Sequence, residues 1–380
     1  MAYAQKIRSR RTGTREVTFR QVEGCGADHP AATPFDIPAP GAQTDPMPPP
    51  APLAIRVGTR ASALALTQTG HVAAVLEAAP GLSAELVRIT TDGDRLTGSL
   101  VALGGTGVFV TALRDALLDG RCDVAVHSLK DLPTGAAAGL VIAAIPERAD
   151  PRDALCARDG LTLAELPAGA RVGTGSPRRA AQLLAARPDL AVVDIRGNVD
   201  TRLRRVAPGD LDAVVLAAAG LARLGRLAAA TELLDPAVMS PAPGQGALAV
   251  EARAADATGA GDTGPRSALA RALAALDHAP SRLAVTAERA LLARLEAGCA
   301  APVGVHARAT AAGLVLEAVV CRPDGGAQLR RSRTAALPPE VPTDGSVVAA
   351  RLAAAHALGV ELADVLLASG AAALAGLGTR

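Results

Sequence analysis

Aromatic side chains are almost missing from this chain. Phe, Trp and Tyr make up 1% of 380 residues, with no tryptophan, one tyrosine and three phenylalanines. Tyr3, Phe19 and Phe35 sit near the start, so Phe109 is the only one of these beyond residue 35. A platform that stacks bases or sugars is therefore excluded. Lysine is equally scarce. Only Lys6 and Lys130 occur among the 39 basic residues, and Asn198 is the only asparagine. Alanine, arginine and glycine have replaced most of what could be replaced, so a residue type kept once is a better functional candidate than usual. Paired cysteines are absent too. The five, at 25, 122, 156, 299 and 321, are odd in number and form no CxxC. That excludes a disulfide framework or zinc spacing and points to a reducing, cytoplasmic setting. His71, His278, His306 and His356 have no ligand spacing either, so no metal is expected.

No uninterrupted apolar run reaches the roughly 20 residues of a membrane span. The longest candidates, such as "DAVVLAAAGLA", are soon broken by Arg223. A net charge of +2 argues against a general nucleic-acid binder. Neither a membrane nor nucleic acid is expected as a partner. What is present, 49% hydrophobic and 20% charged residues, describes a globular protein of two or three domains. Residues 1–52 stand apart. They are basic at first ("KIRSRRTGTR") and then proline-dense ("PMPPPAP"), which cannot offset the entropy of chain ordering. They read as a disordered extension. Arg10-Arg11 has no apolar run behind it, so export is not expected.

From Leu53 the pattern is regular. Strands such as "LAIRVGT", "AELVRIT", "CDVAVHS" and "LDAVVLAAAG" alternate with helical stretches, which predicts parallel α/β sheets in one or two lobes. Residues 254–266, "AADATGAGDTGPR", read as a flexible insertion. Helices over 266–276 and 281–297 follow. Three strands joined by "AAG" and "RPDGG" predict an antiparallel meander, and a last helix runs over 346–368.

Three strand-to-helix junctions share one design. They are "VGTRAS" with Arg60 and Ser62, "VGTGSPRR" with Ser176, Arg178 and Arg179, and "IRGNVDTR" with Arg196, Asn198 and Arg202. Helix starts favour anions, and arginine recognises carboxylate or phosphate. Together they predict a polyanionic ligand beyond the strand ends. The "GTGS" and "GGTG" loops lack the GK[ST] of a P-loop. A fourth junction, "VAVHSLKDLP", holds Lys130 and Asp131. A carboxylate among cationic groups stays ionised and can stabilise a cationic intermediate. Of the cysteines, only Cys299 lies in a glycine turn after a helix ("LEAGCAAPVG"), where a thiol can be reached.

Seven stretches in order resemble the hydroxymethylbilane synthase family, also called porphobilinogen deaminase. They are "IRVGTRASALALTQ", "VAVHSLKDLP", "RVGTGSPRRAAQL", "DIRGNVDTRL", "LAAAGLARLG", "PAPGQGAL" and "LEAGCAAPVG". The resemblance implies two periplasmic-binding-protein-like α/β lobes and a smaller C-terminal α+β domain with a three-stranded antiparallel sheet. It divides the chain into residues 53–148 with 246–266, then 149–245, then 267–380. It implies a dipyrromethane cofactor on Cys299 as a thioether, onto which four porphobilinogens are condensed with loss of ammonia before hydroxymethylbilane is released. Asp131 then matches the catalytic aspartate. Lys130, Asp131, Ser176, Arg178 and Arg179 match cofactor contacts. Arg60, Ser62, Gln68, Phe109, Arg196, Asn198 and Arg202 match the groups facing porphobilinogen and the growing polypyrrole chain. The family is usually monomeric.

The sequence departs from the family pattern at Thr106, Thr111 and Ala112 in the stretch "GGTGVFVTALRD", at Gly175 where serine is frequent, and at Ala222. Two other readings are weighed against the enzyme: a two-lobed binding protein for a small carboxylate, and a group-transfer enzyme for a phosphorylated substrate with Cys299 structural.

Overall fold

The computed structural model describes residues 52–89, 107–258, 265–298, 301–339 and 345–377. The N-terminal extension up to residue 51, Thr106, Cys299 and the side chain of Phe109 lie outside the described residues.

The first lobe begins with β1 (Leu53–Thr59), α1 (Ala63–Glu77) and β2 (Leu82–Arg88). It continues with α2 (Gly107–Leu118), β3 (Val124–Ser128) and β4 (Leu140–Ala144). Alternating apolar residues place Ile55, Val57, Val124 and Val126 in a core against Val72 and Leu76 of α1. The second lobe holds β5 (Asp153–Ala157), β6 (Arg171–Gly173), α3 (Pro177–Ala186) and β7 (Ala191–Val193). Then come α4 (Val199–Leu203), β8 (Ala213–Ala217), α5 (Ala218–Arg223) and β9 (Glu232–Leu233). The chain returns to the first lobe as β10 (Leu248–Arg253).

The sheet orders are β2-β1-β3-β10-β4 and β7-β6-β8-β5-β9. Three strands of each are parallel, as alternation predicts. The sheets as a whole are mixed, which corrects the expectation of parallel sheets. β10 runs antiparallel to β3 and β4, and β5 runs antiparallel to β8 and β9. These strands adjoin the segments that pass between lobes, so their direction follows the crossing and not a βαβ crossover.

The expected insertion begins as a helix, α6 (Ala254–Thr258), and 259–264 lie outside the described residues. Arg253 pairs with Asp256 at 2.5 Å and tightens that first turn. After α7 (Pro265–Leu276) and α8 (Ala279–Arg294), the strands β11 (Val303–Thr310), β12 (Gly313–Cys321) and β13 (Gln328–Ala335) form the expected antiparallel meander. α9 (Gly345–Ala368) and the short α10 (Ala371–Ala375) close the described chain. By length and composition α9 could cross a membrane, with a mean hydropathy of 1.3. One face of it packs in the core, burying Leu358, Leu362 and Leu366 in a cluster with Leu291 of α8 and Leu316 of β12. The other face of the meander meets the second lobe, where Val319 and Cys321 pack on Ala181 of α3.

Candidate active-site cleft

Each junction is built from its sequence by a cap. At the start of α1, Ser62 is extended and its Oγ accepts a hydrogen bond from Ala65 N at 3.3 Å. At α3, Ser176 Oγ accepts from Arg179 N at 3.5 Å, and Pro177 takes the first helical position. At α4, Asn198 Oδ1 accepts from Thr201 N at 2.9 Å. The expected polar residues are thus partly committed to their own helices. β3 ends differently, in a single 3-10 turn over Leu129–Asp131. Ser128 Oγ, just before it, donates to Gln68 Oε1 at 3.2 Å.

The turn faces a cleft of about 240 Å³. Lys130 and Asp131 line it from the first lobe, and Ser176, Arg178, Arg179 and Arg202 line it from the second. Gln245 lines it from the returning segment, and Gly298 and Ala301, which flank Cys299 and Ala300 in sequence, also reach it. Six of the expected site residues therefore converge. Arg60, Ser62, Gln68, Arg196 and Asn198 do not line this cleft. Arg196 pairs with Asp194 at 3.5 Å beside it in sequence.

One residue missed in the sequence organises the second-lobe side. Asp153, fully buried at the start of β5, pairs with Arg178 and Arg179, each at 2.8 Å. Arg179 also donates to Val215 O at 3.1 Å. Burial works against the Asp153 charge, but the two guanidiniums overcome it and hold its carboxyl down at about 2. The signal was a lone acid opening the apolar strand "DALCA", since a buried aspartate needs a cationic partner. The arginines are therefore anchored rather than loose. Nε of Arg178 and Nε of Arg202 are buried and have no hydrogen-bond partner. A buried donor of this kind is satisfied by an ordered water or by a ligand acceptor. Burial also lowers the pKa of Arg202, with the charges of Arg179 and Arg196 acting the same way.

On the opposite wall, burial is the largest influence on Lys130 and lowers its amine to about 8, with Asp131 opposing the change and Arg179 adding to it. Lys130 Nζ donates to Gln245 Oε1 at 3.4 Å. Arg223, noted in the sequence only as ending an apolar run, is half-buried and donates to Gly246 O at 2.6 Å. Gly175 has a structural reason. A Cβ there would stand 2.5 Å from Ile195 O, so the backbone of this turn lies too close to its neighbour for serine.

Residues 55–260 match the family described as porphobilinogen deaminase, dipyromethane cofactor binding domain. Residues 282–368 match porphobilinogen deaminase, C-terminal domain. A porphobilinogen deaminase of Leifsonia xyli subsp. xyli is 60% identical over 325 residues, covering 85% of this chain and 95% of that protein. One of Cutibacterium acnes is 56% identical over 340 residues, covering 85% and 97%. Among solved structures, the methionine binding protein MetQ is 15% identical, with a TM-score of 0.36 over 58% of this chain and 90% of that one.

Proposed function

The chain belongs to the porphobilinogen deaminase family of tetrapyrrole biosynthesis, and from that premise we propose how its cleft performs the family's transferase reaction. The substrate in this reading is porphobilinogen, which carries acetate and propionate groups. The observation that carries it is the convergence of Lys130 and Asp131 with Arg178, Arg179 and Arg202 on one cleft, beside Gly298 and Ala301. The guanidiniums of Arg178, Arg179 and Arg202 on the cleft lining fit the carboxylates of a dipyrromethane or a growing polypyrrole chain. Cys299 would hold that cofactor as a thioether, with Lys130, Ser176, Arg178 and Arg179 on its acidic arms. Bound there, the cofactor would supply the primer to which four porphobilinogens are joined with loss of ammonia before water releases hydroxymethylbilane.

The chain's own residues act around that primer. Asp131 is exposed at the end of a rigid turn, where its carboxylate accepts from pyrrole N–H groups and stabilises positive charge as it develops. The anchored arginines orient the acidic arms and do not reorganise during reaction, because Asp153 already fixes them. Arg60, Ser62, Gln68, Phe109, Arg196 and Asn198 serve the incoming substrate and the lengthening chain in this reading. We assign residues 53–148 with 246–266 to the first domain, 149–245 to the second and 267–380 to the third. The protein acts as a cytoplasmic monomer, with neither nucleic acid nor a membrane as partner. Its described cysteines, Cys122, Cys156 and Cys321, are free and buried, as such a compartment allows.

Intact-protein mass spectrometry tests the cofactor assignment. The purified protein should exceed its sequence mass by one dipyrromethane, and Cys299→Ser should abolish the increment. An active protein of unmodified mass would sink it. Asp131→Ala should keep the increment and lower porphobilinogen turnover by about 10²-fold or more. Normal turnover by that variant would remove Asp131 from the mechanism.

A further inference from the structure

The segment Gly244-Gln245-Gly246, in the stretch "PAPGQGAL", is held more tightly than a linker between lobes requires. Gly244 and Gly246 have φ of +71° and +87°, and a Cβ on either would strike a neighbour, Leu129 or Ala149 O. Each of the three residues has a backbone group bonded to a side chain from elsewhere in the chain. Gly244 N donates to Glu288 Oε2 of α8 at 2.7 Å. Gln245 O accepts from Arg148 Nε at 2.8 Å, and Gly246 O accepts from Arg223 Nη2 at 2.6 Å. Arg148 is itself locked in two bonds to Glu288, at 2.7 and 3.0 Å. All this rigidity places one side chain, Gln245, which is 1% exposed.

Its amide has only one workable orientation. Nε2 donates to Pro151 O and to Asp153 Oδ1, both at 2.8 Å. Oε1 then faces Lys130 Nζ at 3.4 Å. Rotating the amide would set oxygen against two acceptors and N–H against an amine. We propose that Gln245 is a positioning residue: its carbonyl oxygen holds the Lys130 amine beside Asp131, while its amide nitrogen ties that group to the Asp153 carboxylate beneath the arginine pair. The acid–base wall of the first lobe and the arginine wall of the second are joined through this amide. The inference rests on reading the cleft as the reaction site.

Lys130 is the only lysine after Lys6, so its titration can be followed directly by trace labelling with acetic anhydride and peptide mass mapping. It is faced by Asp131 on its own turn, Asp153 on β5, and Arg178 and Arg179 on α3. In the cofactor-loaded enzyme, Gln245→Met removes an acceptor that favours the ammonium. The labelling midpoint of Lys130 should move to lower pH, and kcat should fall about tenfold, by more than KM rises. Gln245→Glu adds negative charge at the same place and should move the midpoint to higher pH. A residue that only fills space would move neither. Unchanged midpoints, or two shifts of the same sign, would overturn the proposal. Circular dichroism and the cofactor mass increment report folding. If the methionine variant does not fold, the direction of the glutamate shift decides, and if neither folds, the role is structural and the proposal fails. Normal turnover by Asp131→Ala would strike the reading of the cleft but leave these midpoints in place, so the two failures are distinguishable.

Discussion

In the first lobe, β1 feeds a helix capped by Ser62, and in the second, β6 feeds a helix capped by Ser176. The sheets behind them match: a parallel trio, β2-β1-β3 or β7-β6-β8, and then an antiparallel strand. Yet the two give the cleft different chemistry. The first lobe contributes an amine and an exposed carboxylate, Lys130 and Asp131, from the turn after β3. The second contributes guanidiniums seated on a buried carboxylate, Asp153. Near the first cap the buried polar pair is neutral, Thr69 donating to Thr59 at 2.7 Å. The same architecture therefore presents a free acid beside an amine on one wall, and cations seated on a buried acid on the other.

The largest effect should come from breaking that difference at Asp153. Asp153→Asn leaves Arg178 and Arg179 without their counter-charge and should cost about 3–5 kcal/mol in chemical denaturation, as for broken buried ion pairs. The pH dependence should change with it. The folded carboxyl lies at about 2, below the ordinary aspartate value of 3.8. Its contribution, about 2 kcal/mol, is thus complete above pH 4 and is lost as pH falls through 2. The asparagine variant should lack that loss, and an identical acid profile in both proteins would refute the pairing. Gly175→Ser comes next. Forcing a Cβ toward Ile195 O should lower stability by about 1–3 kcal/mol by the same assay, with no counterpart in the first lobe. The smallest effect sharpens the likeness. Ser62→Ala and Ser176→Ala each remove one cap and should each cost about 1 kcal/mol in thermal unfolding. Only the second lines the cleft, so only it should also weaken retention of the cofactor.

Local chemistry made much of this legible. Serine before proline marks a cap, and it marks one at Ser176. The one lysine after residue 6 marks a special site, and Lys130 lines the cleft. The meander was legible because its turns are short and carry their own residues. What escaped depends on partners far away in sequence. Strand direction in β5 and β10 follows from how the chain crosses between lobes, which no local pattern records. Asp153 shows only as a lone acid opening an apolar strand, without its partners, until Arg178 and Arg179, 25 and 26 residues later, are seen on it. The sequence shows two adjacent arginines as binders. It does not show that one carboxylate already holds them both.

The path of β10 bears on how the protein emerges during synthesis. All five strands of the second sheet lie between residues 153 and 233, so that lobe is complete in one continuous stretch. The first sheet begins at residue 53 but has β10, residues 248–253, wedged between β3 and β4. A ribosome that has delivered all of the first lobe's other strands has delivered a sheet with a gap in its interior. The half of the cleft made first is thus expected to be finished last, its Lys130–Asp131 turn settling only after the arginine wall already stands.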